Sequence, residues 1–495
     1  MRKKIILSLA IFLLSLNILA QKTADNVSTS SVSPHIVKVA CIGNSVTFGY
    51  GHENPAETSY PSQLAKMLGD NYEVGNFGKS GATLLRKGHR PYNEQIEYLK
   101  SLEFIPDIAI IHLGLNDTDP RNWKYYKREF IADYVALIED IEKVNPDVEI
   151  YICRMSPIFH WHHRFLKGTR DWYWEIQETI ENIAENIAEV KIIDLQEILY
   201  HRPDLMPDAL HPNPEGAKLI AQRVYSAITG DFGGLSVPAI YSDNMVIQHG
   251  KPFVVKGLAN TGDEISVSLD KQKIKTEAGD DGRWEVTFDA LKVDGKKHKL
   301  TIKSKDKTLS FKNIVVGEVI LYSGNKMSKD ESQKTKDFDH SPNNDIRLHY
   351  MDSDISSSWV KIEDIRPYVS TRETLYNVGV KISDSLQMPV GLIYNAVEGA
   401  PIESFIDRKT LEWHPILIDV LYEWRNADNV KEHLDSNEPS YNYDKLIAPL
   451  SSFPINSVIL FEDDSDIDSD LDSIKKSALI ESWKKVFGEI SFIKM

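Results

Sequence analysis

The chain lacks the features that would build a disulfide-stapled, metal-bound or nucleic-acid-binding protein. It has only two cysteines, Cys41 and Cys153, and no Cys/His spacing typical of zinc sites. Its 73 acidic and 57 basic side chains leave a net charge of -16, whereas a nucleic-acid partner requires a basic surface. We therefore expect no nucleic acid, no metal and no cofactor. Each cysteine ends a predicted buried strand, where a thiol acts as a small hydrophobe, although an exported chain could pair the two.

Long hydrophobic runs are also missing beyond residue 20. The basic stretch Arg2-Lys3-Lys4 precedes an apolar stretch from Ile5 to Ala20, an order typical of a secretory signal peptide. We predict a signal peptide at 1–20, a linker at 21–35, and an exported protein, periplasmic or extracellular. A retained anchor is the alternative, but the run is shorter than the roughly 20 residues of a span. After cleavage we expect no membrane contact, and the oligomeric state stays open.

From residue 36 to about 230, apolar β-branched runs alternate with amphipathic stretches. The predicted strands are Ile36–Ile42, Ile108–Leu113, Val148–Cys153 and Val190–Ile193, and the predicted helices are Tyr60–Leu68, Tyr126–Val144, Trp172–Ile187 and Pro214–Ile228. This alternation predicts an α/β fold, with a parallel sheet covered by helices on both faces.

The texture changes after residue 233. Residues 238–316 contain short alternating runs separated by turn residues, which predicts a small antiparallel β-sandwich. Residues 317–495 are mixed again and include an acidic run at 462–472. That run is not an EF-hand loop, because Ser469 and Lys475 stand where the loop needs Gly and Glu; it is interpreted as a solvated loop.

Two blocks in the first half carry the parts of a nucleophilic site. Ser45, in Gly43-Asn44-Ser45, directly follows the first predicted strand and so lies at the carboxyl edge of the sheet, where ligands bind. Asp208 and His211 are three residues apart in one short loop. A serine hydroxyl needs an imidazole to take its proton, and that imidazole needs a carboxylate to fix its tautomer. Taken singly, these residues are ordinary turn and capping residues.

Two further blocks supply donors for a developing oxyanion. Gly81 lies in Asn76-Phe77-Gly78-Lys79-Ser80-Gly81, and Asn116 lies in Gly114-Leu115-Asn116-Asp117. The amides of Ser45 and Gly81 and the side chain of Asn116 are the expected donors. The order of the four blocks favours a catalytic site over coincidence.

These blocks resemble the SGNH (GDSL-type) hydrolases over residues 36 to about 229. The resemblance implies a flavodoxin-like domain. It places the nucleophile at Ser45, the oxyanion residues at Gly81 and Asn116, and the catalytic pair at Asp208 and His211. One departure is visible, since the Gly-Asp-Ser of many members is Gly-Asn-Ser here.

An aromatic and histidine-rich segment follows the strand that ends at Cys153. We expect substrate contacts from His160, Trp161, His162 and Trp172, although half of these aromatics could instead be core of the next helix. Three histidines invite a metal site, but their spacing is not that of a helical metal pair.

The second half, over most of residues 238–466, resembles the sialate O-acetylesterase family. Where that family carries Ser-Gly-Gln-Ser-Asn-Met, this chain has Ser323-Gly324-Asn325-Lys326-Met327, so the nucleophile is absent. Gly399 matches the family's oxyanion glycine, but no histidine follows His433. The resemblance implies a degenerate, truncated and inactive second α/β region over residues 317–495.

Together these patterns predict an exported serine esterase that removes O-acetyl groups from carbohydrates through an acetyl-enzyme. The acetylated-sugar substrate is implied by the resemblance alone, and sialic acid, xylan and other acetylated glycans stay open. The alternatives are a short-chain lipase or thioesterase of the same class and a non-catalytic glycan-binding protein.

Overall fold

A computed structural model describes residues 35–165, 168–186, 190–324, 345–350, 358–361, 372–426, 436–461 and 470–494. The predicted signal peptide, all but the last residue of the predicted linker and most of the acidic run lie outside these ranges. Among the described helices, none is long and apolar enough to cross a membrane.

The first sheet is built from five parallel strands. They are β1 (Val37–Gly43), β2 (Tyr72–Gly78), β3 (Ile108–His112), β4 (Glu149–Arg154) and β5 (Val190–Asp194). Their spatial order is β2-β1-β3-β4-β5, which is the flavodoxin-like order of doubly wound sheets. The parallel α/β prediction is therefore confirmed. Strand β2 was not predicted, because its sequence is short of β-branched residues and it lies at the sheet edge.

Nine helices of the described chain follow these strands. They are α1 (Ser45–Phe48), α2 (Pro55–Thr58), α3 (Tyr60–Leu68), α4 (Ile96–Glu103), α5 (Trp123–Tyr126), α6 (Phe130–Val144), α7 (Thr169–Asn186), α8 (Leu195–Tyr200) and α9 (Pro214–Thr229). Every residue of β3 is buried. Since successive side chains of a strand point to opposite faces, helices must cover both faces of the sheet there.

The two cysteines lie inside this first core. Cys41 is on β1 and Cys153 is on β4, with β3 between those strands. Both are buried free thiols. Burial raises the pKa of the Cys41 thiol to about 12, which keeps it protonated and unreactive.

The next part of the chain is mainly antiparallel. Its strands are β6 (Val246–Gln248), β7 (Phe253–Leu258), β8 (Glu264–Leu269), β9 (Gln272–Glu277), β10 (Arg283–Phe288), β11 (His298–Lys303) and β12 (Thr308–Gly324). Strands β7 and β10 form a ribbon, and β12, β11, β8 and β9 pair in that order. Buried and exposed residues alternate along β10, so one face of the ribbon packs inward.

Strand β12 joins this part to the rear of the chain. The remaining strands are β13 (Ile346–Tyr350), β14 (Ser358–Lys361), β15 (Val390–Ala396), β16 (Ser457–Phe461) and β17 (Ser491–Lys494), and the helices are α10 (Arg372–Leu386), α11 (Arg408–Trp413), α12 (Leu417–Asn426) and α13 (Asp470–Phe487). The second part of β12 pairs in parallel with β15 and β16, and β17 adds in parallel to β16. The order β15-β12-β16-β17 repeats the order β2-β1-β3-β4 of the first sheet.

The expected boundary at residue 316 falls inside β12, so the predicted sandwich and the rear α/β region share a strand. They also share one hydrophobic cluster, which joins Val255 and Trp284 of the sandwich to Leu421 and Trp483 of the rear. The first sheet has a separate cluster of its own. The described chain therefore has a front body around the first sheet and a rear body around β12.

Candidate active site

Ser45 is placed by the turn that ends strand β1. It is the first residue of helix α1, and Asn44 caps that helix by accepting the Val46 N–H at 3.0 Å. The Asn44 amide also donates to the His112 carbonyl at the end of β3, at 3.3 Å. A side chain at Gly43 would collide with Thr47, since a Cβ there would lie 2.1 Å from its Oγ1. The turn thus needs a glycine and places the Ser45 hydroxyl above the sheet edge.

A line of hydrogen bonds connects three of the predicted residues. The Ser45 Oγ lies 2.8 Å from Nε2 of His211, and Nδ1 of His211 lies 2.6 Å from Oδ2 of Asp208. Ser45 and His211 are 166 positions apart in sequence. In this arrangement the imidazole donates from Nδ1 and offers Nε2 as the acceptor for the serine proton.

The loop between Asp208 and His211 holds the carboxylate in place. Oδ1 of Asp208 accepts the backbone N–H groups of His211 at 2.7 Å and Leu210 at 3.1 Å. Partial burial opposes ionisation, but the imidazole and these amides outweigh it and lower the pKa of Asp208 to about 2. Ala209 adopts a left-handed conformation with φ of 65°, and this conformation allows the tight turn between Asp208 and His211. Asp208 is therefore a carboxylate at any ordinary pH.

The two predicted oxyanion residues lie in the same cleft as Ser45. Gly81 has φ of 80°, which favours glycine, and a Cβ there would lie 3.1 Å from Nη1 of Arg90. Nδ2 of Asn116 donates to the Ala82 carbonyl at 3.0 Å, which leaves its second N–H to point elsewhere.

A buried carboxylate ties these two loops together. Oδ2 and Oδ1 of Asp117 accept the N–H groups of Leu84 at 2.9 Å and Leu85 at 2.8 Å. Burial raises the pKa of Asp117 to about 7 despite these hydrogen bonds. Asp117 is fully buried and so belongs to the support of the cleft rather than to its wall.

The cleft around these residues has a volume of about 760 Å³. Besides the residues already named, its wall contains Tyr50, Ser80, Trp161, His162, His163, Arg164, Asp204, Met206, Pro207 and Leu210. The wall is mixed, with charged and aromatic groups beside a few apolar ones. This composition suits a polar ligand with a ring face better than a long alkyl chain.

The structure corrects two of the four predicted substrate contacts. Trp161 and His162 line the cleft, but His160 and Trp172 do not. His160 is fully buried, with its ring edge-on to Trp161 at 5.0 Å between centroids. Trp172 lies in the first turn of α7 and packs against the front core. Phe159 and His160 are both fully buried, so only the part of the segment from Trp161 onward reaches the cleft.

His162 presents a neutral imidazole to the cleft. Burial, with the neighbouring imidazole of His163 as a smaller cause, lowers the pKa of His162 to about 4. Its Nδ1 accepts the Arg164 N–H at 3.2 Å, which requires the proton of the neutral ring to sit on Nε2.

The sequence analysis missed Tyr50 as a site residue. Tyr50 is 52% exposed, and its ring centroid lies 4.6 Å from that of His211. Its backbone N–H donates to the Ser45 carbonyl at 3.0 Å, which fixes it beside the nucleophile. The sequence feature that could have placed Tyr50 in the site is its position five residues after Ser45, just beyond a very short helix.

The rear body has a sheet edge that can be compared with that of the front body. Ser323 near the end of β12 is fully buried, and its hydroxyl donates to the Asn395 carbonyl at 3.1 Å. Gly399 follows β15 with φ of 76°, much as Gly81 follows β2. Residues 325–330 and 462–469 lie outside the described residues. In the described part of the chain, no group of three or more His, Cys, Asp or Glu is arranged to hold a metal ion.

The front body is similar to known proteins. Residues 41–219 match the GDSL-like Lipase/Acylhydrolase family. An acetylxylan esterase of Xylanibacter ruminicola is 35% identical over 215 residues, which are 39% of this chain and 43% of that protein. The chain thus spans less than half the length of this curated relative. All five residues predicted for the nucleophile, base, carboxylate and oxyanion donors lie within the matched range.

Solved structures are also similar to part of the chain. A carbohydrate acetylesterase from Xanthomonas citri is 21% identical, covers 52% of this chain and 59% of its own, and has a TM-score of 0.40. A family two carbohydrate esterase from Clostridium thermocellum, solved with cellohexaose, is 22% identical, covers 39% and 64%, and has a TM-score of 0.30.

Proposed function

Because residues 41–219 form a GDSL-like lipase/acylhydrolase domain, we propose that this chain is a serine esterase that removes acetyl groups from carbohydrates. The observation that carries the proposal is the continuous line of hydrogen bonds from Asp208 through His211 to Ser45. We further propose that the chain is exported and acts outside the cytoplasm, as its first twenty residues suggest.

In the acylation step, Ser45 Oγ attacks the acetyl carbonyl while Nε2 of His211 takes the hydroxyl proton. The carboxylate of Asp208 stabilises the imidazolium that forms and keeps Nδ1 protonated. The C–O bond to the sugar then breaks, and Nε2 returns its proton to the departing sugar oxygen. The products of this half-reaction are a free sugar hydroxyl and an acetyl ester on Ser45.

The negative charge on the tetrahedral intermediate requires donors that are already in place. The Ser45 amide is the first N–H of helix α1 and so has no partner inside that helix. The Gly81 amide and the second N–H of Asn116 complete the proposed set. Each such donor typically stabilises the transition state by about 3 kcal/mol, because it needs no reorganisation when the charge appears.

Deacylation repeats these steps with water in place of the sugar. His211 removes a proton from a water molecule, the hydroxide attacks the acetyl carbonyl, and the Ser45 oxygen leaves with the proton that Nε2 returns. Acetate is released and the resting state is restored. No other group is required for the balance of atoms and protons.

An acetylated carbohydrate is the substrate class that the cleft and the relative favour. Tyr50 and Trp161 offer ring faces on which a sugar can pack, and His162 and Arg164 offer donors to hydroxyl or acid groups. The acetylxylan esterase relative makes acetylated xylan the first polymer to test. The resemblance of the rear body makes an O-acetylated sialoside the second.

The test is acetate release by wild type and Ser45→Ala from acetylated xylan, an O-acetylated sialoside and p-nitrophenyl esters of increasing chain length. We expect wild type to release acetate from at least one glycan and Ser45→Ala to lose at least about a thousandfold in rate. Equal rates for the two proteins would contradict the proposal that this chain is a serine esterase. A preference for chains of eight or more carbons would favour the lipase instead.

A further inference from the structure

The front and rear bodies have separate hydrophobic cores, and charged side chains contact aromatic rings between them. Helix α11 provides several of these groups. Arg408 lies over the ring of Phe159, with its guanidinium carbon 4.4 Å from the centroid, and Lys409 lies over Trp174 at 4.4 Å. Arg170 of the front body contacts the Glu412 carbonyl and lies over Trp413 at 5.1 Å. The contact is a row of cations on aromatic faces.

Arg408 is the most deeply buried of these cations, at 1% exposure. Its guanidinium carbon also lies 5.5 Å from the centroid of Tyr200, and its Nη2 lies 3.2 Å from Oδ2 of Asp444. The other oxygen of Asp444 accepts a hydrogen bond from Nδ1 of His201. One rear ion pair is thus attached to three front residues, Phe159, Tyr200 and His201. Loss of one partner of such a pair strongly destabilises the folded protein, because the other partner stays buried and charged.

Two of these front residues lie on the chain segment that carries the proposed acid-base pair. Tyr200 and His201 begin the segment that continues through Asp204 and Met206, both in the cleft wall, to Asp208 and His211.

Phe159 supports that same segment from the side. Its N–H donates to the carbonyl of Ala209 at 2.8 Å, in the turn between Asp208 and His211. Its ring stacks on Trp161 with centroids 4.9 Å apart and planes 15° apart, and Trp161 lines the cleft. Phe159 is itself fully buried, so its position depends on what covers it. Arg408 is one of the groups that cover it.

We propose that Arg408 and Asp444 of the rear body are positioning residues of the front active site, holding the segment 200–211 and the Phe159–Trp161 wall in register with Ser45. This inference rests on the proposed esterase function. The rear body thereby has a role in the reaction although its own nucleophile is missing. Displacement of an acid-base loop by about 1 Å typically costs on the order of a hundredfold in rate, so a modest shift of this segment has a measurable effect.

The test uses the full chain with Arg408→Met, Arg408→Lys and the double variant Arg408→Met/Asp444→Asn. The double variant removes both charges of this ion pair together, so that Asp444 is not left as a buried carboxylate without Arg408. For each protein, kcat and KM for p-nitrophenyl acetate are measured per active site, counted by titration with a serine-directed phosphonate, and the thermal midpoint is recorded.

We expect kcat per titrated site to fall roughly ten- to hundredfold in Arg408→Met and in the double variant, with KM within about twofold of wild type. Arg408→Lys keeps the cation over the rings and should recover most of the loss. The matched control is Lys409→Met. It removes an equally close cation–ring contact from the same helix, but its ring, Trp174, lies on α7 and meets the segment 200–211 edge-on at Tyr200, with centroids 6.2 Å apart. Its kcat should stay within about twofold, because no ion pair to the segment is lost.

A double variant with wild-type kcat per titrated site overturns the positioning role, whatever its thermal midpoint. So does a Lys409→Met variant as impaired as Arg408→Met, because the effect would then belong to the contact as a whole. These results are distinct from a failure of the proposed function, in which wild type and Ser45→Ala would hydrolyse the ester equally.

Discussion

Asp208 accepts three hydrogen bonds, and their arrangement decides what an amide at this position would do. Oδ1 faces two backbone N–H groups, those of Leu210 and His211, and Oδ2 faces Nδ1 of His211. In Asp208→Asn the amide oxygen must take the Oδ1 position, since only an acceptor suits two donors. The NH2 group then points at Nδ1 and makes that nitrogen the acceptor. The imidazole proton moves to Nε2, and the ring can no longer take the proton of Ser45.

The size of the effect follows from the alternative orientation. To restore the productive tautomer, the amide must flip and face its NH2 toward the two backbone donors, which forfeits both hydrogen bonds. That loss amounts to about 2 to 4 kcal/mol in total, since each unsatisfied donor costs about 1 to 3 kcal/mol and this loop is partly solvated. The productive tautomer is then rarer by a factor of roughly 30 to 1,000, and kcat should fall by that factor.

The assay is steady-state hydrolysis of p-nitrophenyl acetate at pH 7 to 8, with KM expected within about threefold of wild type because the ligand does not touch Asp208 in the proposed step. Asp204→Asn is the matched control. Asp204 also lines the cleft but pairs with Arg202 at 2.7 Å, so its variant should retain kcat. An Asp208→Asn protein within fivefold of wild type would refute the tautomer argument.

Three further changes test the rest of the cleft. Asn116→Ala should lower kcat on the order of a hundred- to a thousandfold with little change in KM, since it removes one donor to the oxyanion; an equal rise in KM would argue against that role. Gly81→Ala should lose about 1 to 2 kcal/mol of stability because φ is 80° there, as thermal unfolding would report, and an unchanged midpoint would contradict the strain. His112 is fully buried, and burial lowers its pKa from 6.5 to about 4, so its contribution to stability is complete above pH 6.5 and is lost as the pH falls toward 4. His112→Gln keeps an acceptor for the Ser156 N–H but takes up no proton in this range. Between pH 7 and pH 5 the variant should therefore lose about 2 kcal/mol less unfolding free energy than wild type. A thermal midpoint that falls with pH as steeply as that of wild type would contradict this.

The fold of the front body was largely predictable because its central strands β1, β3 and β4 are largely buried on both faces. Continuous apolar runs such as Ile108–His112 can only be central strands of a covered sheet, and the structure places them there. Strand β2 was not predicted, because it lies at the edge of the sheet and its partly exposed sequence carries little apolar pattern. Helix α3 at Tyr60–Leu68 begins and ends where the amphipathic pattern predicted.

The rear of the chain was harder to divide. The change in texture near residue 316 is real in the sequence, but β12 runs through it for 17 residues without a break. A strand that is antiparallel to β11 at one end and parallel to β15 at the other obeys two patterns, and local sequence cannot show that both belong to one element. The contact of Arg408 with Phe159 could not have been foreseen, because it joins residues far apart in sequence.

Within the site, the short motifs located the residues that now lie around Ser45. Three of the four motifs sit at the carboxyl end of a strand or directly after it, and the Asp208–His211 motif lies in the loop between α8 and α9. The residues of the cleft wall were predicted less well. His160 and Trp161 are neighbours in sequence, yet one is buried and the other lines the cleft. Which face of such a loop is inward depends on Phe159 and its contacts with the rest of the molecule, which no local pattern records.

The most direct test of the central claim is covalent labelling of the resting protein with a serine-directed phosphonate, followed by peptide mass spectrometry and an activity assay. We expect one adduct per chain, on Ser45, with loss of activity in proportion to labelling and no adduct in Ser45→Ala. An adduct on Ser323 with Ser45 unmodified, or full esterase activity in Ser45→Ala, would contradict it.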